Sequence, residues 1–177
     1  MYKNKIIFLI QKILKKIYRL SREIIDKVLK KSYVRSAYNI KIASNWNVGA
    51  FNMYYHGLYG NDIKNIVSIQ KDPFYFFDIG AHQGLFGILA AKNPNCIKSF
   101  VFEPIPETVN FLKKNINLNQ VNDRVILFPY AISDVSSEME VLYDRTSKAS
   151  LVKKRMKNLP KKTTIKTINY VDLDNIK

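Results

Sequence analysis

Residues 74–84 read Phe74-Tyr75-Phe76-Phe77-Asp78-Ile79-Gly80-Ala81-His82-Gln83-Gly84. Phe74 to Ile79 is a short apolar run that ends in a glycine turn, the pattern of a β-strand buried on both faces. Working outward, residues 84–92 are predicted to be helical, Lys98 to Phe102 a second strand and Pro106 to Leu118 a second helix. A third strand is predicted over Arg124 to Tyr130 and a fourth over Met139 to Tyr143. Strand, helix, strand, helix, strand in such short order implies right-handed crossovers and a parallel sheet, and so an α/β fold.

The turn after the first strand carries chemistry. Gly80 and Gly84, four apart, allow a tight strand-to-helix turn and let a ligand approach the backbone. Asp78 stands two residues before the first glycine. A pyrophosphate loop wants bare amides at a helix N-terminus, whereas S-adenosylmethionine (SAM) carries an ammonium group and no phosphate, so a carboxylate beside it is favourable. The G-x-G-x-x-G of dinucleotide enzymes is absent. Glu103 ends the second strand, 19 residues after Gly84, where a carboxylate can accept both ribose hydroxyls of an adenosine. The third strand runs into Pro129-Tyr130-Ala131-Ile132-Ser133-Asp134, at the edge where adenine would lie. The competing reading of the same pattern is a nucleotide-binding α/β domain for NAD or a sugar nucleotide.

The chain has 177 residues with 47% hydrophobic and 12% aromatic content, enough for one domain with a real core. Its net charge of +15 suggests a nucleic-acid binder until its distribution is examined. Residues 1–41 carry +10 and residues 145–166 carry +9, while residues 42–144 carry −3. The basic charge flanks a slightly acidic core. The single cysteine, Cys96, excludes an internal disulfide and fits a reducing cytosol; it follows Asn93-Pro94-Asn95 in what reads as a loop. Two histidines, His56 and His82, are too few and too far apart for a metal centre, and no metal is expected.

Residues 1–35 form a basic amphipathic helix, with Ile6, Ile10, Ile13, Leu14, Ile17, Leu20, Ile24 and Val28 at helical spacing and Lys or Arg between them. The longest apolar run, Ile6 to Ile10, is too short to cross a bilayer. Two readings stand: a helix packed on its own domain or a partner, or one lying on an anionic membrane surface. Residues 36–73 are a mixed lead-in whose aromatics, Tyr38, Trp46, Phe51, Tyr54, Tyr55 and Tyr59, are expected in core and lid packing. A helix from Asp62 to Ile69, closed by Asp72-Pro73, ends this segment.

The stretches FDIGAHQG, FVFEPIPETVNFLKKNINLN and ILFPYAISD resemble the corresponding motifs of the FkbM family of SAM-dependent O-methyltransferases. The resemblance runs from about Met53 to Lys177 and implies a class I, Rossmann-like methyltransferase sheet over residues 74–177, with SAM as cofactor. It implies that Asp78, Gly80, Ala81, His82, Gly84, Glu103 and Ala131 contact SAM; His82 stands where the family often has Asn. TIKTINYVDLDNI resembles the strand before a Leu-Asp turn, and the family pattern then continues with Ile-Lys-Ile-Asp-Val-Glu-Gly, beyond Lys177. The expectation is therefore of a fragment with an incomplete sheet, to which no catalytic residue can be carried over.

The resemblance implies methyl transfer to a hydroxyl of a saccharide or related metabolite, in the cytoplasm or peripherally at the inner face of the membrane. The basic stretch Arg145 to Lys166 reads either as a solvated loop or as a surface meeting an anionic saccharide or lipid-linked substrate. The rivals are a nucleic-acid methyltransferase and a non-catalytic SAM-binding remnant. Against the first stand the acidic core and the absence of an Asp/Asn-Pro-Pro-Tyr or Pro-Cys site, so nucleic acid is not expected as a partner.

Overall fold

The computed structural model describes residues 2–143, 149–150 and 161–171. The element that opens the chain, α1 (Tyr2–Val28), contains neither glycine nor proline and stops where Lys30 turns to φ +45°. A two-stranded antiparallel hairpin, β1 (Tyr33–Arg35) and β2 (Lys41–Ala43), leads into two short helices, α2 (Gly49–His56) and α3 (Asn61–Ile69). Then comes the predicted alternation: β3 (Phe74–Ile79), α4 (Leu85–Lys92), β4 (Cys96–Phe102), α5 (Pro106–Asn119) and β5 (Val125–Phe128). Pro106 starts α5, where its missing N–H costs nothing, and Gln120 ends it in the left-handed region.

Strands β3, β4 and β5 form a parallel sheet in that order, so the α/β expectation holds. The third predicted strand divides at Pro129. Only its last residue, Tyr130, falls in β6 (Tyr130–Ser133), a separate strand that leaves the parallel trio and pairs with β9 (Lys161–Asn169). The predicted fourth strand is β7 (Ser137–Tyr143), which runs antiparallel to β9 and also pairs with the short β8 (Ala149–Ser150). Most of the basic stretch 145–166, and the last residues of TIKTINYVDLDNI, lie outside the described residues.

Two expectations are corrected. Cys96 is not in a loop: it is the buried first residue of β4, and burial pushes its thiol up. Nor is β3 buried on both faces, because Tyr75, Phe77 and Ile79 are more than half exposed. Helix α4 lies across β3 and β4 on one side only, and the alternation of a strand sends every second side chain to the other.

Behind α4 stands α5, and the β1–β2 hairpin seals α5. Ala43 N–H donates to Asn115 Oδ1 (2.7 Å), and Asn119 Nδ2 donates to the Lys41 carbonyl (2.7 Å). One apolar core then runs from Ile40, Ile42 and Phe51 through Leu85 and Ile88 to Val101 and Leu112. Among the described residues no helix is long and apolar enough to cross a membrane.

Candidate cofactor site

The carboxyl ends of β3 and β4 meet at the glycine turn. Gly80 and Ala81 both donate their N–H to the Phe102 carbonyl at 2.9 Å, which folds the turn back over the end of β4. Gly84 sits at φ +85°, and a Cβ there would come within 2.2 Å of Leu112 Cδ1, so only glycine fits between the turn and α5. Gly80, at φ +79°, has nothing within 4 Å of where a Cβ would stand; its backbone faces open space. A ligand can therefore approach the chain closely there.

Two buried carboxylates converge behind this opening. Asp78 faces α4, and Gly87 N–H donates to its Oδ2 at 2.9 Å. The N-cap residue of α4 is Gly84, which has no side chain to cap with, so the strand supplies the acceptor that the third amide of the helix needs. Burial raises Asp78 to about 6 despite that bond. Glu103 is bound at both oxygens by the loops on either side: His82 N–H donates to Oε2 and Ile105 N–H to Oε1, each at 2.9 Å. Burial raises its pKa, and the nearby Asp78 charge adds to this. Each Glu103 oxygen keeps a second lone pair, so a ligand hydroxyl can still be accepted.

His82 holds φ +52°, and both its ring nitrogens are buried without a partner. Burial drives its pKa down to about 4, so the ring is neutral near pH 7. An unpaired buried nitrogen is costly, which marks this position as one where a further polar group would be stabilising.

The structure thus brings together Asp78, Gly80, Ala81, His82, Gly84 and Glu103 of the sequence-derived set. Ala131 sits on β6 and packs with Ile105, Val141 and Ile165, one step removed through Ile105, whose N–H Glu103 holds. Three contributors were not legible in advance. Tyr54, expected only in packing, lies edge-on to the His82 ring (centroids 6.0 Å apart). Its hydroxyl is pushed up by burial and by the neighbouring Tyr59, Asp78 and Glu103. Asn115 donates to the Gln83 carbonyl (2.8 Å) and so pins the turn from α5. Gly87 is required by contact: a Cβ there would lie 2.3 Å from Val101 Cγ1. A glycine inside an otherwise apolar helix was its available signal.

No family model matches the sequence, and no curated protein matches it. Among solved structures, an M. jannaschii tRNA m1G37 methyltransferase is 19% identical, with a TM-score of 0.43, over 59% of this chain and 35% of that one. M. jannaschii TYW2 in complex with AdoMet is 19% identical, with a TM-score of 0.41, over 55% of this chain and 43% of the other. The complex of aTrm5 with tRNALeu gives 16% identity and a TM-score of 0.39, over 54% and 26%. This chain therefore spans about a quarter to under half of each of those proteins. Identities this low concern the fold alone. They also bring a correction: the expectation of a small-molecule or glycan acceptor without nucleic acid does not stand, since the structures found include a tRNA m1G37 methyltransferase and a complex with tRNALeu. The sequence argument for that exclusion rested on the acidic core and on the absence of an Asp/Asn-Pro-Pro-Tyr or Pro-Cys site. The charge of residues 42–144 describes the body of the domain and not the acceptor's surface, and those two motifs belong to particular base-methylating sites rather than to all of them.

Proposed function

We propose that the turn at Gly80 binds SAM and that the chain contributes the cofactor half of a methyltransferase. The observation that carries this reading is the pair of buried carboxylates, Asp78 and Glu103, behind an open glycine backbone. Such a site repels pyrophosphate and suits a cationic adenosyl ligand. Glu103 would accept the ribose hydroxyls, Asp78 would favour the ammonium, and the Gly80–Ala81 backbone would line the pocket. The unpaired His82 nitrogens fit a ligand that brings polar groups. When bound, SAM supplies a methyl group on a positively charged sulfur, ready for displacement by a nucleophile. The protein's part is to hold that group in line and to keep water away.

The acceptor in this reading is a polyanion, with RNA as the case to test. Nine cations and no acid lie between residues 145 and 166, in a chain of pI 9.8. A saccharide hydroxyl is not the acceptor in this reading.

Calorimetry on the full chain at pH 7.5 tests the cofactor. One saturable SAM site with no response to NAD is expected, weakened at least tenfold by Glu103→Gln. No heat with SAM, or equal heat with NAD, overturns the reading. Transfer of a tritiated methyl group into RNA, lost at high salt, tests the acceptor.

A further inference from the structure

Helix α1 is docked the wrong way round for a helix that serves its own core. At 100° per residue, Arg22, Glu23, Asp26 and Lys27 share one side, and that polar side meets the body. Arg22 lies over the Tyr55 ring (4.4 Å to the centroid) and donates to the Arg35 carbonyl. Asp26 accepts from Tyr55 Oη and Lys31 Nζ, both at 2.6 Å. Glu23 meets His56 at 2.9 Å, and Lys27 lies over the Trp46 ring at 4.9 Å. The stripe formed by Ile10, Ile13, Ile17, Leu20, Ile24 and Val28 occupies a different arc, centred about 130° away, and each of these residues is between 49% and 71% exposed. A helix usually buries its apolar stripe and wets its polar one. Here the attachment, made by the last turns of the helix, is ionic and aromatic, and the apolar stripe stays exposed from Ile10 to Val28.

We infer that α1 is an interfacial anchor that lays its isoleucine stripe into the surface of an anionic lipid bilayer. Charge selects this occupant. Residues 1–22 carry seven cations and no acid. Two such helices packed stripe to stripe would set those charges beside one another, whereas anionic headgroups neutralise them. The apolar sector is also wider than a two-helix seam, since Ile7 and Leu14 flank it, also about half exposed. RNA would take the cations but leave the stripe in water. At the docked end, a cavity of about 760 Å³ beside α1 adds Lys31, Arg35 and Lys41 to Arg22 around the single acid Asp26. Lysine and arginine stems can lie along the stripe's margins with their heads at the phosphate level. The helix is not apolar enough to span, so it lies in the interface. This inference does not depend on the cofactor reading.

Co-sedimentation of the full chain with vesicles of phosphatidylcholine alone, or with 30% phosphatidylserine, tests it. At least tenfold tighter binding to the anionic vesicles is expected, weakening as salt rises. The pair Ile13→Glu and Ile17→Glu, at two positions half exposed or more, should abolish that binding with an unchanged melting temperature. The triple change of Lys12, Lys15 and Lys16 to Gln should reduce the preference for anionic lipid. Equal binding to both vesicles, no binding, or full binding by the Ile pair overturns the inference. So does a dimer in sedimentation equilibrium that the Ile pair dissociates, or complete displacement from vesicles by RNA with the stripe variants unaffected.

Discussion

The two faces of the parallel sheet are built from alternate residues of the same strands, and they have opposite characters. On one face Phe76, Asp78, Ser99 and Val101 pair across β3 and β4 beneath α4, packed so closely that Gly87 has no room for a methyl group. On the other, Phe77 stacks on Phe100 at 4.8 Å, Phe100 on Phe128 at 6.4 Å, and Phe128 on Phe102 at 4.8 Å. Tyr75, Phe77 and Ile79 there remain more than half exposed. The difference teaches that aromatic content and structural cost are separate properties. The smallest residue on the covered side is less replaceable than the largest on the open side.

Substitution can break that contrast. Gly87→Val should have the largest effect, because its side chain meets Val101 and the Asp78 carboxylate at once. A loss of at least about 3 kcal/mol in urea unfolding is expected, and a wild-type midpoint would show that α4 does not lie against the sheet as described. Asp78→Asn comes next. Folded Asp78 titrates near 6 rather than 3.8, so its contribution to stability is full below about pH 4 and is lost as pH rises through about 6. The difference is on the order of 3 kcal/mol, and the Asn variant, which can still accept from Gly87, should lose this falling component and keep only the slopes of Glu103 and His82, the latter a gain in stability as pH rises from about 4. The same variant should bind SAM at least tenfold more weakly at pH 7.5, since there the wild-type carboxylate is charged. A parallel loss of pH slope and affinity sharpens the comparison; an unchanged slope removes Asp78 from the covered face. Phe77→Ser should be the mildest: about 1 kcal/mol or less from the lost ring stacking, with reduced binding of a hydrophobic dye. A loss above about 3 kcal/mol would mean that the open face is covered in solution.

How far these faces could be read in advance follows from what a linear pattern encodes. The β3 turn was legible because a positive-φ turn between two packed elements demands glycine, and Gly80 and Gly84 announce it. One-sided burial was not, since Phe74 to Phe77 is apolar at every position and carries no alternation to read. The break between β5 and β6 falls at Pro129, which has no N–H for a ladder, yet the apolar run on either side hid it. Strands β1 and β2, three residues each, are too short to show a period. The aromatics of α2 were visible, but the approach of Tyr54 to Asp78 and Glu103 spans chain separations that only the folded core closes. For α1, amphipathicity was plain and the docked side was not. That choice is made by Tyr55, Trp46 and His56, far along the chain.

Asn115 gives the recognisable motif an address. Wholly buried, it accepts from Ala43 with its carbonyl and donates to Gln83 with its amide, so one side chain holds both the N-terminal hairpin and the turn. Transplanted into another scaffold as residues 74–128, the motif would carry every letter of its signature and leave that carbonyl facing a stranger. The turn is a joint, legible as a word but functional only in its sentence.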